Sequence, residues 1–352
     1  MKQKTLTRTL LAGLPAAALA LGITPVAAQS LVISNWDGYM PADLAENFES
    51  ETGISVDVAT HATNEEIMGK VTASGGEGYD LIFVSSPFAE ALDKLGIAAE
   101  LDHSMIPNID NLYAEARQLP YDEGLNFSVP YAWGTTGLCY RSDLVEEAPD
   151  SWMDLLAPSD ALSGKVTMLS TDRWMIGAAA LAKGYSVNVT DEGKLAEVKD
   201  LLVSARDDLL AYDDTTFYSK LVSGEASLVH AWDGWCNYGI AENDDIKYTI
   251  PEEGTDLWVD TMVVMDNSDN KEAAHAFINY ILGADTHKWV AENILYKVPN
   301  KAAMEALDPS LIETFPNLGM DPGEMLEHEM LRDVGNAQKA YSRLKTEVMS
   351  AQ

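Results

Sequence analysis

The chain has 352 residues, of which 47% are hydrophobic, and it carries 23 basic and 56 acidic side chains. The formal charge of −33 argues against nucleic acid as a partner, because phosphate binding requires a basic face. An apolar fraction near one half excludes a disordered chain, and the length predicts two lobes or one large α/β unit.

Residues 1–28 have the pattern of a secretory signal peptide. A basic head that contains Lys2 and Arg8 precedes an apolar run at residues 10–21, and small residues lead to a predicted cleavage after Ala28. A retained anchor helix is the alternative, but the apolar run is short for a membrane span. The sequence therefore predicts an exported protein that is located in the periplasm.

Predicted strands and helices alternate in the first part of the mature chain. Apolar strands are expected at residues 31–33, 54–58 and 81–84, with a helix between each pair. Pro41 fits the first turn of the first helix and Gly53 its end. Strands that alternate with helices indicate parallel βαβ units, in which helices cover both faces of the sheet.

The remaining chain continues this pattern, and it contains two candidate crossings between lobes. Extended segments with proline at residues 128–131 and 249–252 are the candidate crossings. Asp269 is expected to cap a helix that ends at Gly283. Further strands are predicted at residues 166–169, 228–232, 248–250 and 258–265.

No motif of a known catalytic chemistry occurs in the sequence. It contains no G-x-S-x-G elbow, P-loop, G-x-G-x-x-G or H-E-x-x-H segment, and its six histidines lack the spacing of zinc ligands. We therefore expect no enzyme, no cofactor and no metal. A periplasmic enzyme that acts on amines is the alternative of a different class.

The two cysteines, Cys139 and Cys236, leave two possibilities open. Export to an oxidising compartment permits a disulfide between them. Two separate buried thiols are equally consistent with the sequence, because it does not give the distance that decides bridging.

Tryptophan and aspartate recur together at the ends of predicted strands. Trp36 and Trp232 are each followed by an aspartate, and Trp258 and Asp260 share one side of a strand because side chains alternate. Ligands of open α/β sheets lie beyond the carboxyl ends of strands. Aromatic faces attract a cation and a carboxylate accepts its N–H groups, so the pattern predicts a site for an organic cation.

Segments along nearly the whole mature chain resemble the periplasmic spermidine/putrescine-binding proteins of polyamine ABC importers. The resemblance implies a two-lobed α/β periplasmic binding protein, type II-like, in which each lobe is a mixed sheet flanked by helices and a hinge joins them. It further implies a monomeric receptor for a small cationic ligand that docks on an inner-membrane ABC permease. The matching segments include residues 34–39, 51–54, 79–82, 129–133, 258–260, 279–282 and 333–335.

The same resemblance implies lobe boundaries and site residues. Lobe 1 would comprise residues 29–131 and 252–320, and lobe 2 residues 132–251 and 321–352. An aromatic box would surround the ligand, formed by Trp36, Tyr39, Trp232, Trp258 and Tyr296. The predicted polar contacts are an amine-binding carboxylate at Asp260, a hydroxyl at Ser85 and a further contact at Asp37.

The far end of the predicted site departs from the family pattern. Trp174, preceded by Arg173, and Trp235 stand where relatives carry carboxylates. The two tryptophans suit a methylated ammonium group, whereas Arg173 suits the carboxylate of an amino-acid derivative. Alternatively, Asp172 or Asp233 completes a site for a simple diamine. We expect a polyamine receptor, with a methylated ammonium compound or an amine-bearing amino-acid derivative as the alternative ligand.

Overall fold

Ten strands carry the fold, and they form one continuous mixed sheet. A computed structural model describes residues 30–351, so the predicted signal peptide lies outside the described residues. The sheet order is β2-β1-β3-β9-β4-β7-β5-β6, with β10 beside β9 and β8 beside β4. The strands are β1 (Ser30–Trp36), β2 (Ser55–His61), β3 (Leu81–Ser85), β4 (Val129–Arg141), β5 (Val166–Met168), β6 (Leu209–Tyr212), β7 (Leu228–Trp232), β8 (Ile246–Thr249), β9 (Asp256–Val264) and β10 (Glu329–Met330).

Helices connect the strands and cover the sheet. Among residues 30–351, no helix combines the length and the apolar character that a bilayer span requires. The α-helices of the described chain are α1 (Leu44–Thr52), α2 (Asn64–Ser74), α3 (Ser86–Lys94), α4 (Trp152–Leu156), α5 (Asp172–Ala182), α6 (Glu192–Ala205), α7 (Phe217–Ser223), α8 (Asp233–Glu242), α9 (Lys271–Ile281), α10 (Ala284–Ile294), α11 (Lys301–Glu305), α12 (Pro309–Thr314), α13 (Pro322–Met325) and α14 (Gln338–Ser350).

The predicted α/β class is confirmed, and most element predictions agree with the structure. β1 pairs in parallel with β2 and β3, whereas β9 is antiparallel to both β3 and β4. Gly53 ends α1 with a left-handed φ of 75°, as predicted. The predicted cap at Asp269 is wrong, because α9 begins one residue later, after Asn270. The amide of Asn270 instead donates to Asp80, 3.2 Å away.

Strand β4 joins the two halves of the sheet. Its residues 129–135 pair with β9, and its residues 136–141 pair with β7 and β8. The chain crosses back from the half of the sheet that contains β8 to the half that contains β9 through residues 250–255. The change of pairing partner therefore falls inside β4, downstream of the proline segment that starts at residue 128. The lobe boundaries themselves stay predictions.

Buried apolar side chains form clusters that position the candidate site and the C-terminal helix. The largest cluster includes Trp174, Trp258 and Tyr296, so these three predicted site residues are part of the core. A second cluster joins α5, α6 and α14 through residues such as Met175 and Tyr341. Burial of apolar area is the main stabilising term in folding, so the C-terminal helix is held to this half of the sheet.

A disulfide joins the two cysteines, and this decides between the bridge and the two separate thiols that the sequence allows. Cys139 lies on β4 and Cys236 on α8, and their Cα atoms are 5.8 Å apart. Both residues are fully buried, and 97 positions separate them along the chain. The bridge therefore fixes α8 against the strand that connects the two halves of the sheet.

Candidate functional site

Asp260 is the centre of the candidate site. It lies on β9 between Ser85 of β3 and Ala132 of β4. Its two carboxylate oxygens accept hydrogen bonds from the Tyr39 hydroxyl at 2.8 Å and from the Ser85 hydroxyl at 2.6 Å. Both donors are neutral, and no cationic side chain of the described residues pairs with this carboxylate. The site therefore holds a partly buried acid without a compensating charge among the described residues.

Burial decides the protonation of this acid. It raises the pKa of Asp260 to about 6, while the hydrogen bonds from Ser85 and Tyr39 act in the opposite direction. The carboxyl is therefore mostly ionised at neutral pH and attracts a cation. A bound cation would lower the same pKa, since an opposite charge nearby favours the ionised form.

Neighbouring polar groups hold the two hydroxyl donors in place. The Asn64 side chain accepts the backbone N–H of Ser85 at 2.9 Å and donates to the Ser85 hydroxyl at 3.1 Å. The Tyr131 hydroxyl donates to the backbone carbonyl of Tyr39 at 2.7 Å. Both donors are therefore fixed before any ligand arrives, which lowers the entropic cost of binding.

Aromatic rings form a chain of contacts beside Asp260. The ring centroids of Trp36 and Tyr39 are 5.5 Å apart, those of Tyr39 and Tyr296 are 5.5 Å apart, and those of Tyr296 and Trp258 are 5.3 Å apart. All three pairs meet edge to face. Gly234 at the start of α8 lies against Tyr296, where a Cβ atom would overlap the ring. This glycine lets α8 approach the aromatic chain.

A second aromatic group comes from the other half of the sheet. Trp232 ends β7 and meets Trp174 of α5 edge to face, with centroids 5.5 Å apart. Trp174 is buried, whereas Trp232 is partly exposed. Trp235 points into a cluster with Tyr218 and Tyr238, at centroid distances of 5.6 and 5.7 Å.

An uncompensated, partly buried carboxylate among aromatic rings is typical of a site that binds an organic cation. Comparison with known proteins agrees with this geometry. Residues 43–313 match the family described as bacterial extracellular solute-binding protein. The chain belongs to this family.

The curated relatives of this solute-binding protein match it over most of their length. It is 32% identical to a spermidine/putrescine-binding periplasmic protein of Salmonella typhimurium, over 93% of this chain and 94% of the relative. It is 31% identical to a putrescine-binding periplasmic protein of Escherichia coli, over 85% and 86% of the two chains. The resemblance inferred from the sequence is therefore confirmed.

Solved structures support the same fold for this solute-binding protein. A structure described as a spermidine/putrescine ABC transporter from Listeria monocytogenes matches with a TM-score of 0.86 and 28% identity. The match covers 92% of this chain and 100% of that one. The expected periplasmic-binding-protein architecture is confirmed.

Most of the predicted box residues lie together in this solute-binding protein. Tyr39 and Ser85 contact Asp260 directly. Ring contacts connect Tyr39 to the other three residues of the group, which are Trp36, Tyr296 and Trp258. Trp232 and Trp174 contact each other in the second aromatic group. Their contacts with a ligand stay predictions.

Three other predicted residues have different surroundings. The buried Asp172 accepts hydrogen bonds from Gln338 and Ser342 of α14, at 2.9 and 3.4 Å. Arg173 donates to the carbonyl of Arg332 and stacks on a tyrosine ring, which favours a structural role. Asp37 is exposed, next to the box rather than within it. Their ligand roles stay predictions.

Two residues that the sequence analysis did not single out support the site. Asn64 holds Ser85, but nothing in the sequence relates these two positions, which are 21 residues apart. Asp256 lies two residues before Trp258 on β9. The alternation that places Trp258 and Asp260 on one side of the strand extends to Asp256. This alternation would therefore have been sufficient to predict Asp256 from the sequence.

Proposed function

We propose that this solute-binding protein captures polyamines, meaning putrescine- and spermidine-like cations, for an ABC importer. The observation that carries the proposal is the partly buried Asp260 carboxylate, which has hydroxyl donors but no cationic partner among the described residues. A primary ammonium supplies both the missing charge and N–H groups for the carboxylate oxygens. The curated relatives named above bind spermidine and putrescine, which supports this ligand class.

The site is strong enough for a useful affinity. One hydrogen bond to a charged group contributes about 1.5–3 kcal/mol. Each aromatic face adds about 0.5–2 kcal/mol of cation attraction. Three rings and one carboxylate therefore support micromolar binding, which corresponds to about −8 kcal/mol after the costs of association.

The two halves of the sheet offer a mechanism for capture. The proposed lobes close on the cation about the crossings in β4 and between β8 and β9, and the ligand selects the closed population. The closed form then docks on an inner-membrane permease. In this proposal the protein acts as a monomer in the periplasm, and residues 1–28 are a signal peptide that is cleaved after Ala28.

A receptor explains the site better than the alternatives. A quaternary methylated ammonium has no N–H to donate to Asp260, and the named relatives do not favour such a ligand. An amino-acid derivative would need a free cationic group, whereas the guanidinium of Arg173 is bound to protein oxygens. No catalysis is proposed, because the family consists of solute-binding proteins.

Isothermal titration calorimetry of the mature protein tests the ligand class. We expect putrescine or spermidine to bind with a dissociation constant of about 1 μM or tighter. Tetramethylammonium serves as the control cation without N–H groups and is expected to give no heat. Absence of heat from putrescine, spermidine and agmatine would refute the polyamine assignment.

The pKa of Asp260 predicts how binding depends on pH. Because this pKa is about 6, lowering the pH from 7.5 to 5 neutralises most of the carboxyl, and the affinity for a monoamine such as butylamine, which needs this carboxylate alone, should fall roughly tenfold. The groups that face it are Ser85 and tyrosines, among which Tyr39 has its pKa raised well above the ordinary value by burial. None of them titrates in this range. Calorimetry at the two pH values checks the prediction, and a stronger affinity at pH 5 contradicts it.

A further inference from the structure

Asp256 is a buried carboxylate that the proposal above does not use. Its side chain is only 6% exposed, and its Oδ2 atom has no hydrogen-bond partner within residues 30–351. Burial raises its pKa to about 7. A buried carboxyl with an unsatisfied oxygen destabilises a fold unless something binds to it.

The side chain of Asp256 lies on the same side of β9 as Trp258 and Asp260. Alternate residues of a strand point to one face, and the irregularity in the pairing of β4 with β9 falls on β4, between Pro130 and Ala132. β9 itself is regular here. Trp258 therefore stands between two carboxylates along one face of a single strand.

The side chains around Asp256 include Trp174, which belongs to the far end of the predicted site. The Thr136 hydroxyl and the Trp174 indole N–H face this carboxylate and lower its pKa, yet neither group reaches a partner at hydrogen-bond geometry within the described chain. Trp174 contacts Trp232. Asp256 therefore lies at the second aromatic group, whereas Asp260 lies at the first.

Arg173 is the competing structural partner of Asp256. Its charge favours the ionised carboxylate, but its two terminal nitrogens donate to Arg332 O at 2.6 Å and to Asn188 Oδ1 at 2.7 Å. No ion pair joins Arg173 to a carboxylate in the described part of the chain. Arg173 thus stabilises the charge of Asp256 and leaves its Oδ2 atom open.

We infer that Asp256 binds the second ammonium of a diamine whose first ammonium is held by Asp260. This inference rests on the proposed function and names its substrate class, linear diamines with an ammonium at each end. The hydrocarbon chain would lie along the indole of Trp258, between the two carboxylates. Both charges of the ligand would then be compensated inside the cleft.

The spacing along β9 predicts the length of the diamine. Four residues of strand place the Cα atoms of Asp256 and Asp260 about 13 Å apart. An extended chain advances about 1.2 Å per bond, so the two nitrogens of 1,4-diaminobutane are about 6 Å apart. Two ammonium–carboxylate contacts of about 2.8 Å bring the total to about 12 Å. A chain of four or five carbons fits this span, and the triamine spermidine exceeds it by about 4 Å.

Calorimetry with a ligand series tests the inference on the mature protein. The ligands are putrescine, cadaverine, spermidine and the matched monoamine butylamine. For the wild-type protein we expect the two diamines to bind roughly 10- to 100-fold more tightly than butylamine, the effect of one hydrogen bond to a charged group. Asp256→Asn should reduce this preference to less than about threefold.

Asp57→Asn is the matched control, because Asp57 is an exposed aspartate on β2 and its replacement removes the same charge. This variant should keep the wild-type preference for diamines. An Asp256→Asn protein that also keeps it overturns the inference but not the proposed function. If the wild-type protein binds butylamine as tightly as putrescine, the inference fails even where the variant does not fold. Absence of heat from every amine overturns the proposed function together with the inference.

Discussion

Replacing Asp260 with asparagine is expected to weaken putrescine binding about 100-fold and to raise the stability of the ligand-free protein. The binding loss follows from removing the charge that receives the ammonium, since hydrogen bonds to charged groups contribute about 1.5–3 kcal/mol. Asparagine keeps the size and one oxygen acceptor of the side chain. The loss therefore reports the charge rather than the shape of the site.

The stability gain follows from the sign of the pKa shift. Burial raises the pKa of Asp260 from 3.8 to about 6 in the folded protein. Between those values the folded state binds more protons than the unfolded state, so stability falls as the pH rises from about 4 to about 6. Above that range the folded protein carries the full cost of a buried charge, roughly 1–3 kcal/mol. Asparagine removes this cost.

Two measurements at pH 7.5 distinguish this prediction from general damage to the fold. Calorimetry gives the affinity for putrescine, and thermal unfolding without ligand gives the stability. We expect the first to fall and the second to rise, whereas a misfolded variant would lose both. Asp57→Asn removes an exposed charge and should change neither by more than a small amount. An unchanged affinity of Asp260→Asn contradicts the role of this carboxylate.

The variant is expected to lose affinity and gain stability because binding and folding place opposite demands on this carboxylate. A carboxylate that is buried with only neutral partners lowers the stability of the empty receptor, and a bound cation restores it. Burial raises the pKa of Asp256 to about 7, so the same reasoning applies to that residue. The receptor is therefore expected to gain more thermal stability from a diamine than from a monoamine.

The pattern of residues along a strand was sufficient to predict the core of the site. Trp258 and Asp260 are two residues apart in an apolar run, and strand periodicity alone places them on one face. The same reasoning reaches Asp256, although that residue was not singled out. The contacts of Tyr39 and Ser85 with residue 260 could not be predicted in this way, because no spacing rule relates them to it, and Ser85 is implied by the family resemblance alone.

Tertiary packing determines the partners of Asp172 and Arg173, which the sequence does not show. Asp172 and Arg173 stand beside Trp174 at the start of a helix, and the family resemblance suggests each of them as an alternative ligand contact. In the fold, α14 supplies Gln338 to Asp172, and the segment before it supplies the carbonyl of Arg332 to Arg173. These partners are more than 150 residues away along the chain. Local patterns carry no information about such contacts.

The local elements of the fold were predictable from the sequence, whereas the long-range pairing of its strands was not. Alternating strands and helices indicated βαβ units, and β1, β2 and β3 form them. The long strand β4 was anticipated only as an extended proline segment at its start, because β4 is buried on both faces and shows no alternation. Its position between β9 and β7 follows from long-range pairing.

Loss of the disulfide is expected to have the largest effect on stability. The bridge between Cys139 and Cys236 closes a loop of 97 residues. A cross-link over a loop of this length restricts the unfolded chain and stabilises the fold by about 4–5 kcal/mol. The double variant Cys139→Ala with Cys236→Ala should lose this amount in urea unfolding at neutral pH.

Single and double variants separate the cross-link from side-chain packing. Cys139→Ala alone already breaks the bridge, so it should be destabilised nearly as much as the double variant. A total loss below about 1 kcal/mol would show that the cross-link contributes little beyond the packing of two small buried side chains. Because the hydrogen bonds to Asp260 come from Tyr39 and Ser85 and do not involve the bridge, the folded double variant should bind putrescine within a few-fold of the wild-type affinity. A 100-fold weaker affinity would instead mean that the bridge positions α8, and with it Trp232 and Gly234, for binding.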